Sequence, residues 1–98
     1  MRYNVRFPTE SIEKKFEKIL QAVSPQKLRE EIMRAVETLS DNPRPFGEPK
    51  IKPPLLVYQF TAQYRLRVRD WRILYDVDDK NRIVWILALR KRNERTYD

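Results

Sequence analysis

Hydrophobic and polar positions change period several times along this chain, and each change marks an element. Tyr3, Val5 and Phe7 alternate with Arg2, Asn4 and Arg6, the period of a half-buried strand that Pro8 ends. From Ile12 the spacing becomes helical: Ile12, Phe16, Ile19, Leu20 and Val23 share one side, Glu13, Lys14, Lys15, Glu17 and Lys18 the other, and Thr9 stands where an N-cap belongs. Ser24-Pro25 predicts the start of a second helix capped by the serine. Its apolar stripe is Leu28, Ile32, Ala35, Val36 and Leu39, and its stop is Asp41-Asn42-Pro43. Both stripes read as packing surfaces for a sheet.

Residues 42–54 hold five prolines and Gly47, the sole glycine, which predicts an irregular connection. Leu55 to Phe60 then predicts one short apolar strand. The most patterned stretch is YRLRVRDWRILYDVDD, from Tyr64 to Asp79. Leu66 and Val68 point one way and Arg65, Arg67 and Arg69 the other. Asp70 marks a reversal, after which Trp71, Ile73, Tyr75 and Val77 face the core and Arg72, Leu74 and Asp76 face outward. The last strand, Arg82 to Leu89, is apolar on both sides: Ile83, Trp85, Leu87 and Leu89 on one, Val84, Ile86 and Ala88 on the other. Such a strand belongs in the centre of a sheet, and the face away from the helices needs a cover, either the chain's own tail or a partner helix.

Composition sharpens this picture. Ninety-eight residues suit a single domain with its own core, and no run is apolar and long enough to span a membrane, so a soluble, cytoplasmic protein is expected. Cysteine and histidine are both absent, which excludes thiolate metal sites, disulfides and every imidazole-dependent catalytic triad. Chemistry must run on Lys, Arg, Tyr, Asp or Glu. The net charge of +7 is unevenly placed: nine Lys/Arg face eight Asp/Glu in residues 1–49, against twelve and six in residues 50–98. A basic second half favours a polyanionic partner, because Lys and Arg release counterions when they meet phosphates.

Arg65, Arg67 and Arg69 at alternate positions, with Arg72 on the neighbouring strand, predict a cluster of guanidinium groups on one face. Like charges opposite each other destabilise a sheet, so the arrangement points to an anion or an acidic partner that relieves it. The tail LALRKRNERTY adds Arg90, Lys91, Arg92 and Arg95 and then Tyr97. Cations around a tyrosine lower its pKa from about 10 by roughly one to three units each, which makes Tyr97 a candidate general base. Arginine cannot release its proton, so the guanidinium groups can stabilise charge only.

The order β-α-α-β-β-β, the YRLRVRDWRILYDVDD hairpin and the arginine-rich end closing on tyrosine resemble the RelE/ParE toxin superfamily over essentially the whole chain. The hairpin is similar to that family's Y-R-[IL]-R-V-x-D-[YW]-R-[IV]-[LI]-Y segment. The resemblance implies one α+β domain over residues 1–98, with an N-terminal strand, an α-helical hairpin and an antiparallel sheet of three to four strands. For the RelE branch it implies the toxin of a type II toxin-antitoxin system: an endoribonuclease that cuts mRNA on the ribosome, using neither metal nor cofactor. The site residues it implies are Arg65, Arg67, Arg72, Arg90, Arg92 and Tyr97 as catalytic, with Lys50, Lys52, Arg69, Lys91 and Arg95 on RNA. The implied partners are the ribosome, mRNA and a cognate antitoxin whose acidic amphipathic segment covers Val84 and Ile86. The toxin is expected as a monomer alone and a hetero-oligomer with its antitoxin. The alternative is a ParE-like DNA gyrase inhibitor, or an inactive interaction module of the same fold.

Overall fold

The computed structural model describes residues 2–45, 51 and 53–92. Strand β1 (Asn4–Arg6) leads into helices α1 (Glu10–Gln21) and α2 (Gln26–Thr38), followed by β2 (Leu55–Val57), β3 (Phe60–Ala62), β4 (Tyr64–Val68), β5 (Trp71–Asp78) and β6 (Ile83–Lys91). Four strands form the main sheet in the order β1-β6-β5-β4. The last three are antiparallel, and β1 joins parallel to β6. The expected α+β layout therefore holds, with β6 central.

Local chemistry explains the helix ends. The Thr9 hydroxyl accepts a hydrogen bond from the Ile12 N–H at 3.1 Å, satisfying one of the unpaired donors of the first turn. At the second helix the expectation fails: Pro25 occupies the N-cap position and no side chain caps the turn. The apolar stripes do as their spacing predicts. Phe16, Leu20, Val23, Ile32, Val36 and Leu39 pack with Tyr64, Leu66, Ile73 and Tyr75 of the sheet. Each such fully buried aliphatic or aromatic side chain contributes about 1.5–3 kcal/mol.

Two expectations about the sheet are overturned. Leu55 to Phe60 is not one strand: β2 and β3 pair in antiparallel register, Val57 opposite Phe60, around a two-residue turn with Tyr58 at φ 57°. The faces of β6 are also exchanged along most of its length. Tyr75 lies opposite Ile86 but Leu74 lies opposite Ala88, so β6 carries an extra residue at a bulge. Val84, Ile86 and Leu89 all pack on the helix side, while Trp85, Leu87 and Ala88 face the other way. Val84 and Ile86 are fully buried, so no partner covers them. What covers the outer face is the β2-β3 hairpin: Val57 and Ala62 close over Leu74 and Leu87, with Leu55, Phe60 and Trp85 at the margin.

The end of the sheet away from the β4-β5 turn is latched by a polar network. Arg44 donates to both carboxylate oxygens of Asp79 (3.2 and 2.8 Å) and to the Tyr64 hydroxyl (3.1 Å), and its guanidinium lies over the Tyr64 ring. The Tyr75 hydroxyl, buried beside it, donates to the Pro43 carbonyl at 2.7 Å. Hydrogen bonding to Asp79 pushes the Arg44 guanidinium to a higher pKa and also raises that of the Tyr3 phenol.

Candidate functional site

The register of β4, β5 and β6 sets three arginines abreast. Arg67 lies opposite Arg72, and Arg72 lies opposite Arg90, so one row of side chains crosses three neighbouring strands. Directly opposed residues have Cβ atoms about 5 Å apart. Ile73 and Leu89, the next residues inward on β5 and β6, belong to the helix-side core, which leaves Arg72 on the outer face beside Leu74. Arg65 stands on the same face two residues before Arg67, opposite Leu74. The row is graded in exposure. Arg67 and Arg90 are exposed, Arg65 is half-buried and Arg72 is only 2 % exposed.

The other expected basic residues are dispersed. Arg92 follows β6 directly, its backbone N–H donating to the Asp70 carbonyl at 2.6 Å, which fixes this part of the chain beside the β4-β5 turn. Arg69 leaves the alternation because it occupies that turn at φ 56°. Its guanidinium forms an ion pair with Glu31 of α2 at 3.1 Å, on the helix side of the sheet. Lys91 lies opposite Trp71, which packs against the helix-side core, so it also points away from the row. Lys50, Lys52, Arg95 and Tyr97 lie outside the described residues.

Chemically, a row of guanidinium groups is a ready-made holder for phosphoryl oxygens: each group presents donors in a planar fork and keeps its charge at any working pH. It cannot accept a proton, so any base must come from elsewhere. Among the described residues no group of acidic side chains is placed to hold a metal ion.

Two cavities open on this side of the sheet, one of them beside the row, and sequence reasoning marked neither. One, of about 310 Å³, opens between α1 and the β2-β3 hairpin; Ile12, Phe16, Ile19, Tyr58 and Leu87 line it, with Arg90 and Lys15 at its edge. The Lys15 ammonium sits over the Tyr58 ring at 4.7 Å. The other, of about 370 Å³, is bounded by Pro8, Phe60, Thr61, Asp76, Trp85 and Leu87. The two-sided apolar pattern of β6 was the available signal for both. Its bulge and the β2-β3 turn decide where the cavities open.

A mixed four-stranded sheet with a helical hairpin on one face and a basic row on the other defines a small α+β domain of the kind found in bacterial and archaeal toxins of toxin-antitoxin pairs. Consistent with that class, the model of the ParE toxin of type II toxin-antitoxin systems (parDE) matches residues 7–96, and the chain belongs to this family, within the RelE/ParE superfamily. Among solved structures, the archaeal RelE-RelB complex from Pyrococcus horikoshii matches with 25 % identity and a TM-score of 0.67, over 96 % of this chain and 99 % of that one. The RelBE2 toxin-antitoxin complex of Mycobacterium tuberculosis matches with 25 % identity and a TM-score of 0.61, over 94 % and 100 %. The intact RelBE complex of Escherichia coli shares the fold at 20 % identity, with a TM-score of 0.58 over 95 % and 99 %. Among curated proteins no relative matches the chain.

Proposed function

We propose that this toxin is a metal-independent endoribonuclease that cuts mRNA on the ribosome. The single observation that carries the reading is the row Arg67, Arg72, Arg90, with Arg65 beside it: guanidinium-bearing residues from three strands stand abreast on the outer sheet face, Arg67 and Arg90 exposed to a phosphodiester and Arg72 buried between them. Likeness to RelE chains at 25 % identity over nearly full length supports it. In this mechanism the RNA 2′-oxygen attacks the adjacent phosphorus and the bond to the 5′-oxygen breaks. The arginines, Arg92 among them, hold the extra negative charge of the transition state. Tyr97 takes the 2′-hydroxyl proton and water protonates the departing 5′-oxygen, giving a 2′,3′-cyclic phosphate and a 5′-hydroxyl. Lys50, Lys52 and Arg95 add cationic contacts to RNA, and the ribosome supplies positioning.

The same reading includes an antitoxin. The groove beside Arg90 combines apolar walls with two cations at its edge, which suits an acidic amphipathic helix, and the solved relatives are toxin-antitoxin complexes. Seated there, such a helix would neutralise part of the row and keep RNA away. A second reading, gyrase inhibition, is favoured by the family model, which is that of ParE.

Translation decides between them. Added to a cell-free system, the protein is expected to leave new mRNA ends within codons, carrying the 2′,3′-cyclic phosphate. Arg67→Ala and Arg90→Ala, both at exposed positions, should each slow cutting about a hundredfold, the scale of losing one transition-state donor. Arg72→Ala should do at least as much. Intact messages together with inhibited DNA supercoiling would replace the nuclease with the gyrase reading.

A further inference from the structure

The outer face carries a second row that crosses the sheet away from the arginines. Arg6 of β1 lies beside Trp85 of β6, and Trp85 lies opposite Asp76 of β5. Val5 packs on the helix side and Trp85 on the outer side, so Arg6, Trp85 and Asp76 share the outer face with Arg72. Asp76 is four residues from Arg72 along β5, about 13 Å at strand spacing. Around Trp85 and Asp76 lies the cavity of about 370 Å³ whose remaining walls are Pro8, Phe60, Thr61 and Leu87.

The cavity and its margin combine three features. Two aromatic side chains, Trp85 and Phe60, line the cavity, and aromatic rings are surfaces on which a planar base can stack. The Asp76 carboxylate and the Thr61 hydroxyl add hydrogen-bonding oxygens to an otherwise apolar lining. A cation, Arg6, stands beside the tryptophan on an exposed edge strand, where it can meet a phosphate or ribose. An aromatic slot with a carboxylate acceptor suits a base that offers an amino donor, since acidic side chains accept from the exocyclic amine of cytosine. An unstacked base of a single strand can enter such a slot; a paired one cannot.

We infer that the Asp76-Trp85 cavity is a base-recognition subsite, which takes one unstacked nucleobase bearing an exocyclic amino group while the arginine row holds a phosphate of the same RNA strand a few nucleotides away. The inference rests on the outer face being an RNA surface and adds sequence preference to it. Phe60 belongs to the subsite because the β2-β3 hairpin folds over the sheet, which gives that short hairpin a role in recognition besides covering apolar surface.

The test separates base recognition from cutting. In a Trp71→Phe background Trp85 is the only tryptophan, and its emission is titrated with short 2′-O-methylated oligocytidylate and oligouridylate, which cannot be cut by 2′-oxygen attack. The two bases match in size and differ at C4, amino against carbonyl. Expected are quenching of Trp85 and binding about tenfold tighter for oligocytidylate. Asp76→Asn, nearly isosteric, should erase the preference because its amide can also donate to the uracil carbonyl. Trp85→Leu should weaken oligocytidylate binding about tenfold, the scale of one lost stacking contact, while salt dependence persists. Equal, salt-dependent binding of both oligomers with unchanged Trp85 emission would overturn the subsite and leave the RNA surface standing. Equally strong quenching by cytidine monophosphate alone would overturn the strand-bound subsite in favour of a free-nucleotide site. Absence of any RNA binding would overturn the RNA surface as well.

Discussion

Individual residues in this protein act through where the backbone puts them. Arg67, Arg72 and Arg90 come from separate stretches of sequence, yet cross-strand register makes them neighbours. Opposed like charges cost each pair about 0.2–1 kcal/mol, which a nearby anion relieves. Tyr97, proposed as the base, can be separated from the row: Tyr97→Phe should leave RNA binding near normal and lower single-turnover cutting at least about a hundredfold. Unchanged cutting would remove it from the chemistry. Three residues with side chains, Tyr58, Arg69 and Arg82, hold left-handed backbone near φ 55–57°. Relieving that strain is worth about 1–2 kcal/mol, against an entropy cost of about 0.5–1 kcal/mol for introducing glycine. Arg82→Gly should therefore raise stability, by up to about 1.5 kcal/mol. The signature is a higher urea midpoint with an unchanged denaturant slope.

Among the elements, β6 and its two neighbouring turns set the geometry. The bulge lets one strand serve the helix-side core through Val84, Ile86 and Leu89 while offering Trp85 and Leu87 to the outer cluster. The turn joining β5 to β6 is held by Asp78, whose carboxylate accepts from the side-chain amide of Asn81 at 2.9 Å and from its backbone N–H at 3.0 Å. Those hydrogen bonds, the side-chain one foremost, hold the Asp78 pKa below its ordinary 3.8. A carboxyl depressed by folding contributes stability above the unfolded value, and the contribution disappears as pH falls through the folded one. Asn81→Ala should accordingly be less stable than the parent at neutral pH, with the gap closing once Asp78 is protonated in both. Urea midpoints across the acid range would show the convergence, and a gap independent of pH would assign the turn's stability to something else.

At the scale of the molecule, charge and layering work together. The helical hairpin covers one face of the sheet, which leaves the other to the β2-β3 hairpin and to Arg65, Arg67, Arg72 and Arg90. Binding to single-stranded RNA should weaken linearly in logarithmic plots against salt, with about 0.7 of slope for each neutralised phosphate. Arg90→Ala should reduce the slope by about 0.7, whereas removing Arg69, already paired with Glu31 on the helix side, should change it little. Affinity measured at several salt concentrations with a short oligoribonucleotide reads both. Equal effects of the two substitutions would mean that RNA does not distinguish the faces.

Periodicity by itself determined the two helices, the strand before them, the β4-β5 hairpin and the clustering of Arg65, Arg67 and Arg72, because amphipathic spacing and alternation are local properties that one segment carries alone. The resemblance carried by the YRLRVRDWRILYDVDD hairpin extended this to the family, which the match over residues 7–96 establishes. Tertiary structure alone decided the rest. The Tyr58 turn has no glycine or asparagine to announce it and exists because Val57 and Phe60 pair. The reversed faces of β6 follow from one extra residue opposite β5, and pattern along a single strand cannot show it. Arg69 and Lys91 read as members of the basic cluster until turn conformation and register send them to the helix side. The pairing of Trp85 with Asp76 and Arg6 is likewise a matter of register between distant strands, which only the assembled sheet specifies.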